Sequence, residues 1–470
     1  MKSRAAASSR RHSLVDSVLP AREPNLNFEP SGNGTGKVWL VSANMGYGHL
    51  RAIFPLQSVV HEEIITLGDN DGSSFGEKKL WNKLLAVYTR FSRAKGIPGI
   101  GKYLFKILNR FLYIPSFYPI RNLSQSTFQV QMLSSFIRKG LCMGVLRKIR
   151  EHPAPLVTSF YAPAIAADMN GFQSIYSVIC DADLNRVWVS KEPWESTIQY
   201  FAPCGKAAQR LRAYGVPDDR IFLTGFPLPE ELLGGRDLAT LRADLGQRLH
   251  YLDPANRFWP LHGRNVEFIL GEEQCVPRRH RTLTLTYAVG GAGAQREIGR
   301  KIAVSLVKRL TAGEIAVNLV AGTSLSIRDY FEEVRRDIGP DAARNVGIIY
   351  GETFASYYTL FNETLRKTDI LWSKPSELSF YCALGIPLII SPVIGSQEYF
   401  NRKWLLEIQA GFKQENPDYT DQWLFDFLNN GRFAEAAWAG FLKARKLGTY
   451  KVLDILREGK FNEDDSPLFR

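Results

Sequence analysis

Two short stretches of this 470-residue chain join glycine to groups that do chemistry, and each follows an apolar run. In the first, Asn44, Gly46 and Gly48 lead to His49, directly after Val38-Trp39-Leu40-Val41. A histidine carried to a sheet edge by a glycine turn takes a proton from a hydroxyl near neutral pH. A core or helix-capping histidine is the plainer reading of the same residues. In the second, Gly290, Gly291 and Gly293 follow the run TLTLTYAV. Glycines there let main-chain N–H groups approach a phosphate, and the helix start beyond them favours negative charge. The spacing fits neither G-x-G-x-x-G nor the P-loop, and such turns also use glycine for steric reasons alone.

A third stretch, Trp372 to Asn401, holds Lys374, Glu377, Gln397 and Glu398. Pro375 and Ser376 start a helix with Glu377 in its first turn, and Gly385 ends it. Carboxylate and amide groups at two loop edges suit sugar and ribose hydroxyls. Taken singly, each also reads as a cap or a surface polar group. Asp181-Ala182-Asp183 has the Asp-x-Asp form that can hold a metal on a diphosphate, although hard cations want several oxygen ligands.

These groups need elements to position them. From Lys37 onward the chain alternates apolar runs with helical patterns. PLVTSF, SIYSVIC, TIQYF and RIFLTGFPL read as strands after the first, and Leu50 to Ile64 has a helix-like pattern broken by Pro55. TLTLTYA, EIAVNLVAG, NVGIIYG, TDILWS and PLIISP repeat the rhythm, and everything after Asn401 reads as helical. The expectation is an α/β chain of two Rossmann-like parallel-sheet domains facing a cleft. Its parts are a disordered tail (1–35), a first domain (36–235), an irregular connection with an insertion (236–280), a second domain (281–435) and a helical end (436–470). Asp16 and Glu23 weaken a transit-peptide reading of the tail.

Composition narrows the function. Five scattered cysteines exclude a disulfide framework and a structural zinc site, which fits a reducing, cytoplasmic setting. No run reaches the roughly 18 apolar residues that span a bilayer. The net charge of +12 is uneven: residues 78–150 hold fifteen Lys and Arg and no Asp or Glu. Aromatics such as Trp81, Phe91, Phe105 and Phe111 interleave with these charges. That mixture suits an anionic membrane surface, where each basic residue contributes about 1 kcal/mol. A nucleic-acid reading finds no recognisable module, so nucleic acid is not an expected partner. Helices with merely solvated basic faces are the plainer alternative.

Together the motifs resemble family 28 glycosyltransferases, which have the GT-B fold and include monogalactosyldiacylglycerol synthases, bacterial diacylglycerol glucosyltransferases and the N-acetylglucosaminyltransferase of peptidoglycan synthesis. The carriers are the glycine-histidine loop, the second glycine turn, and Gly385-Ile386-Pro387 with Gln397-Glu398 at the family's spacing. The resemblance covers roughly 37–435, without much of 78–150 and 250–280. It implies an inverting hexosyl transfer from a nucleotide sugar, expected to be a UDP-sugar, to a lipid or lipid-linked acceptor, with no cofactor and no bound metal. His49 matches the base, with Asp183 beside the acceptor. Asn44, Gly46 and Gly48 match the acceptor loop. Gly290, Gly291 and Gly293 match the turn near the donor phosphates, Gln397 and Glu398 the sugar contacts, and Phe354 the nucleobase packing. The family's ribose-holding Glu is replaced by Phe380, and Glu377, three residues earlier, is the candidate substitute. A nucleotide-sugar epimerase and a non-catalytic membrane-surface protein on the same fold stand as alternatives.

Overall fold

The computed structural model describes residues 36–81, 113–278, 281–290, 293–393, 395–461 and 466. The expected tail (1–35), Phe91, Phe105, Phe111 and Gly291 lie outside the described residues. Two six-stranded sheets form the frame. The first has the order β2-β1-β3-β4-β5-β6, with β1 Trp39–Ala43, β2 Ile65–Leu67, β3 Leu156–Thr158, β4 Ile175–Val178, β5 Ile198–Phe201 and β6 Ile221–Phe222. The second has the order β12-β11-β10-β7-β8-β9, with β7 Leu283–Ala288, β8 Ile315–Gly322, β9 Val346–Tyr350, β10 Ile370–Ser373, β11 Leu388–Ile390 and β12 Gly411–Lys413. Every strand pair is parallel. Parallel strands need helical crossovers that cover both faces, so their residues read as nearly unbroken apolar runs. Val38 to Val41 and Leu285 to Ala288 are buried accordingly. This is the GT-B arrangement of two Rossmann-like sheets.

The strand orders locate the site. In the first sheet the chain moves from β1 outward to β2, then returns to β3 on the other side of β1. In the second it moves from β7 through β8 and β9, then returns to β10 beside β7. Ligands of open α/β sheets bind beyond the strand ends at such reversals. The loops there are Asn44–Gly46 after β1, Ser159-Phe160 after β3, Val289-Gly290 after β7 and Lys374–Ser376 after β10.

Three expectations need correction. The stretch 236–280 is not irregular: it forms helices Ala239–Tyr251, Trp259–Leu270 and Glu272–Cys275. Leu241, Leu245 and Leu249 recur every four residues and are fully buried, and Arg248 binds the Thr368 and Leu384 carbonyls of the second half. The helix after the first glycine loop stops at Ile53, and Pro55 sits at the start of a 3-10 turn, Phe54–Val59. The region after Asn401 is not wholly helical, because Gly411–Lys413 adds the edge strand β12. The last helix, Gly448–Glu458, returns to the first half, where the Thr449 hydroxyl donates to the Leu228 carbonyl at 2.5 Å.

Candidate active site

A cavity of about 440 Å³ opens between the two reversal points. Its polar end is lined by His49 and Asp181 from the first half and by Lys374, Glu377, Gln397 and Glu398 from the second. Gly46, Gly48 and Gly290 contribute main chain. A second arm is apolar, walled by Trp81, Met132, Leu133, Phe160, Tyr161 and Trp188.

His49 lies in the first turn of the helix Tyr47–Ile53. Gly46 precedes that helix with φ 103°, a left-handed value that favours glycine. His49 Nδ1 is 2.6 Å from the Ser159 carbonyl oxygen. A carbonyl only accepts, so Nδ1 carries the proton and Nε2 keeps a lone pair for the cavity. Burial holds the His49 pKa below the ordinary imidazole value, against the Ser159 bond and the charge of Glu377. The ring is therefore neutral at pH 7, the form a general base needs. Cys180 Sγ is 3.7 Å from Nδ1, and burial pushes its thiol well up, so it stays protonated.

Contacts across the cleft come from the same helix and its neighbours. The Tyr47 hydroxyl lies 2.9 Å from Thr323 Oγ1 and accepts from the Thr323 amide at 2.8 Å. Arg51 pairs with Glu377 at 2.5 Å and also bonds the Tyr357 hydroxyl. Burial alone would raise Glu377, but Arg51 and Lys374 outweigh it and hold the carboxyl below its usual range. A Cβ on Gly48 would stand 2.7 Å from Glu377 Oε2, so only glycine lets that carboxylate approach. Asn401 bridges the halves twice: its side-chain oxygen accepts from the Ala182 amide and its nitrogen donates to Asp181 Oδ1, both at 2.7 Å. Burial pushes the Asp181 carboxyl up to about 6, partly offset by Asn401.

On the second half, Lys374 Nζ is 3.1 Å from Glu398 Oε1. A Cβ on Gly290 would meet Lys374 Cε at 2.8 Å, so the lysine lies flat on this glycine. An ammonium beside a main-chain turn has the chemistry of an anion cradle, and it shares one cavity with His49.

Several expected residues stand elsewhere. Asp183 does not line the cavity. It is fully buried, with Arg210 donating to it at 2.7 and 3.0 Å, and Asp181 takes the cavity position. Phe354 is not on the wall either: Phe54 and Tyr47 cover it, with ring centroids 5.3 and 5.9 Å away. Gly293, with φ 72°, does not line the cavity, and a Cβ there would meet Ile327 Cδ1 at 3.0 Å. Asn44, the first residue of the loop after β1, is exposed and does not line the cavity. Trp81 is 6% exposed and forms part of the apolar arm, not a membrane-facing surface. Phe380 stacks on Phe226 at 5.2 Å within the core, while Glu377, at the helix start, reaches the cavity. Sequence reading missed Arg51 and Asn401 as site residues. Their only signal is a polar residue within a patterned helix.

No family model and no curated protein matches the chain. Among solved structures, Staphylococcus aureus MnaA in a UDP co-structure is similar over 91% of this chain and 99% of its own, at 13% identity and a TM-score of 0.43. Acinetobacter baumannii MurG covers 90% and 99% at 14% identity and a TM-score of 0.41. The glycotransferase of kitacinnamycin covers 90% and 98% at 12% identity and a TM-score of 0.44. Likeness at this level carries nothing about donor, acceptor or reaction.

Proposed function

We propose that the protein is an inverting glycosyltransferase that moves a hexose from a nucleotide sugar, a UDP-sugar, to a lipid hydroxyl at a membrane surface, on the cytoplasmic side. The observation that carries this reading is the cavity itself. Its lining brings a neutral imidazole, a lysine on a glycine turn and an apolar arm into one cavity. A soluble small acceptor has no use for that arm. No helix among the described residues is long and apolar enough to cross a membrane, so a lipid would be drawn from the bilayer surface.

In this mechanism the acceptor lies along the apolar arm with its hydroxyl at His49 Nε2. The imidazole takes the hydroxyl proton as the oxygen attacks the anomeric carbon. One C–O bond forms, the opposite C–O bond to phosphate breaks, and the configuration inverts. Lys374 and the main chain at Gly290 take up the charge on the departing diphosphate. Gln397 and Glu398 hold sugar hydroxyls. The Glu377 charge favours the imidazolium as it forms.

The test is to incubate the protein with UDP-hexoses and lipid acceptors in vesicles and follow products by mass spectrometry. A hexosylated lipid, lost in His49→Ala, is the expected outcome. A UDP-sugar returned with one inverted hydroxyl would make it an epimerase instead. No turnover of any donor would leave the non-catalytic reading.

A further inference from the structure

A second cavity of about 400 Å³ adjoins the apolar arm, sharing Gln129, Asn185 and Val187 with the main cavity. An aromatic wall joins it to the histidine. His49 meets Phe160 at 5.3 Å, Phe160 meets Tyr161 at 4.2 Å, and Tyr161 meets Trp188 at 5.6 Å between ring centroids. Trp188 closes the 3-10 turn Arg186–Trp188, and Arg186 and Val187 line the second chamber. The imidazole and the chamber thus stand at opposite ends of one apolar wall.

The chamber is positively charged. Arg121 and Arg186 line it, and no Asp or Glu among the described residues does. Arg186 is 4% exposed, and its hydrogen bonds all go to main-chain carbonyls, of Ser124, Val189 and Lys191. Three other buried arginines have acids at hand. Arg51 faces Glu377, Arg210 faces Asp183, and Arg248 has Asp244 and Asp369 in range. Among the described residues Arg186 has only the phenols Tyr200 and Tyr214, and burial holds its pKa below the ordinary arginine value. A guanidinium keeps its charge even so, and an uncompensated buried charge is costly. Arg121, at the exposed rim, makes no ion pair among the described residues.

The helix Phe128–Arg138 begins at this chamber with no acidic residue in its first turn. Its capping residue Thr127 lines the chamber, makes no capping bond, and has a buried hydroxyl without a partner among the described residues. The positive end of the helix adds to the two arginines.

We propose that the second chamber is an anion subsite for the acceptor. The acceptor is then an amphiphile whose acidic group, a phosphate or a carboxylate, sits between Arg121, Arg186 and the start of the helix Phe128–Arg138. Its apolar part follows the aromatic wall, and its hydroxyl reaches His49. This assignment rests on the acceptor reading of the cleft given above and names the chemical class of that acceptor.

The test is equilibrium binding, by tryptophan fluorescence below micelle concentrations, of decyl phosphate, decanoate, decanol and inorganic phosphate. Both anionic amphiphiles are expected to bind about tenfold more tightly than decanol. Inorganic phosphate is expected to displace them only weakly, which assigns the site to the lipid anion and not to free phosphate. The charge preference should vanish in Arg186→Gln and shrink in Arg121→Ala. Should Arg186→Gln fail to fold, the exposed-rim variant Arg121→Ala decides. Equal binding of charged and neutral probes, a preference unchanged in the variants, or inorganic phosphate binding as tightly as decyl phosphate would each overturn the proposal. None of these probes touches donor binding. Failure of the glycosyl-transfer reading would instead show as absent UDP binding with the charge preference intact.

Discussion

The two glycine turns occupy equivalent places, each after the strand beside its sheet's reversal point, yet they work differently. The turn after β1 is short, and its helix begins at Tyr47. It sends side chains across the cleft: Tyr47 to Thr323, Arg51 to Glu377, His49 into the cavity. The turn after β7 is longer, its helix starts only at Arg296, and Gly290 meets Lys374 of its own half. One turn presents side chains and the other presents main chain. The same strand-turn-helix unit thus presents the His49 ring to the cavity on one side and the Gly290 main chain beside Lys374 on the other.

This contrast can be broken from either side. His49→Ala should lower transfer about 10²- to 10⁴-fold while leaving the unfolding midpoint unchanged; a large loss of stability would make the histidine structural. Arg51→Ala leaves a buried Glu377 unpaired and should cost about 3 kcal/mol in denaturant unfolding. Gly48→Ala forces Glu377 away and should cost about 1–3 kcal/mol, with a weaker link between the halves. Gly290→Ala meets only the flexible end of Lys374, so it should weaken UDP binding with little change in stability.

Asp181 gives an effect that appears only as a pH dependence. Its folded pKa, near 6, lies above the ordinary 3.8. The folded state therefore favours the protonated form, and this contribution to stability is full below pH 3.8 and lost as pH rises through 6. Asp181→Asn should raise stability at pH 7 and not at pH 3.5, measured by thermal unfolding. His49 has the opposite sign. With its pKa lowered, stability falls as pH drops below 6.5, and transfer should hold up to lower pH than an ordinary imidazole allows.

The sheet frame was legible because parallel strands are buried on both faces and leave apolar runs of four or more residues. The edge strands β2 (ITL) and β12 (GFK) are not read as strands from the sequence, whereas the equally short β3 and β11 lie within the longer stretches PLVTSF and PLIISP. The helix Ala239–Tyr251 hid behind its charges, although its leucines recur every fourth residue. Within the site, His49, Lys374, Glu377, Gln397 and Glu398 were legible from their loops. The choice between Asp181 and Asp183 was not, because it depends on Arg210, which packs against Asp183 from a distant part of the chain. Trp81 misled for a similar reason: its basic neighbours indicate a surface, but the ring itself is held against Phe160. Motif spacing tells which residues share a loop; which of them faces the cleft is set by partners that lie far off in sequence.

The measurement that tests the central claim most directly is calorimetric titration of UDP into the protein and into its Lys374→Ala variant. The account predicts saturable binding that weakens about tenfold or more when the lysine is removed. Absence of UDP binding to the unaltered protein, or binding indifferent to Lys374, would contradict it.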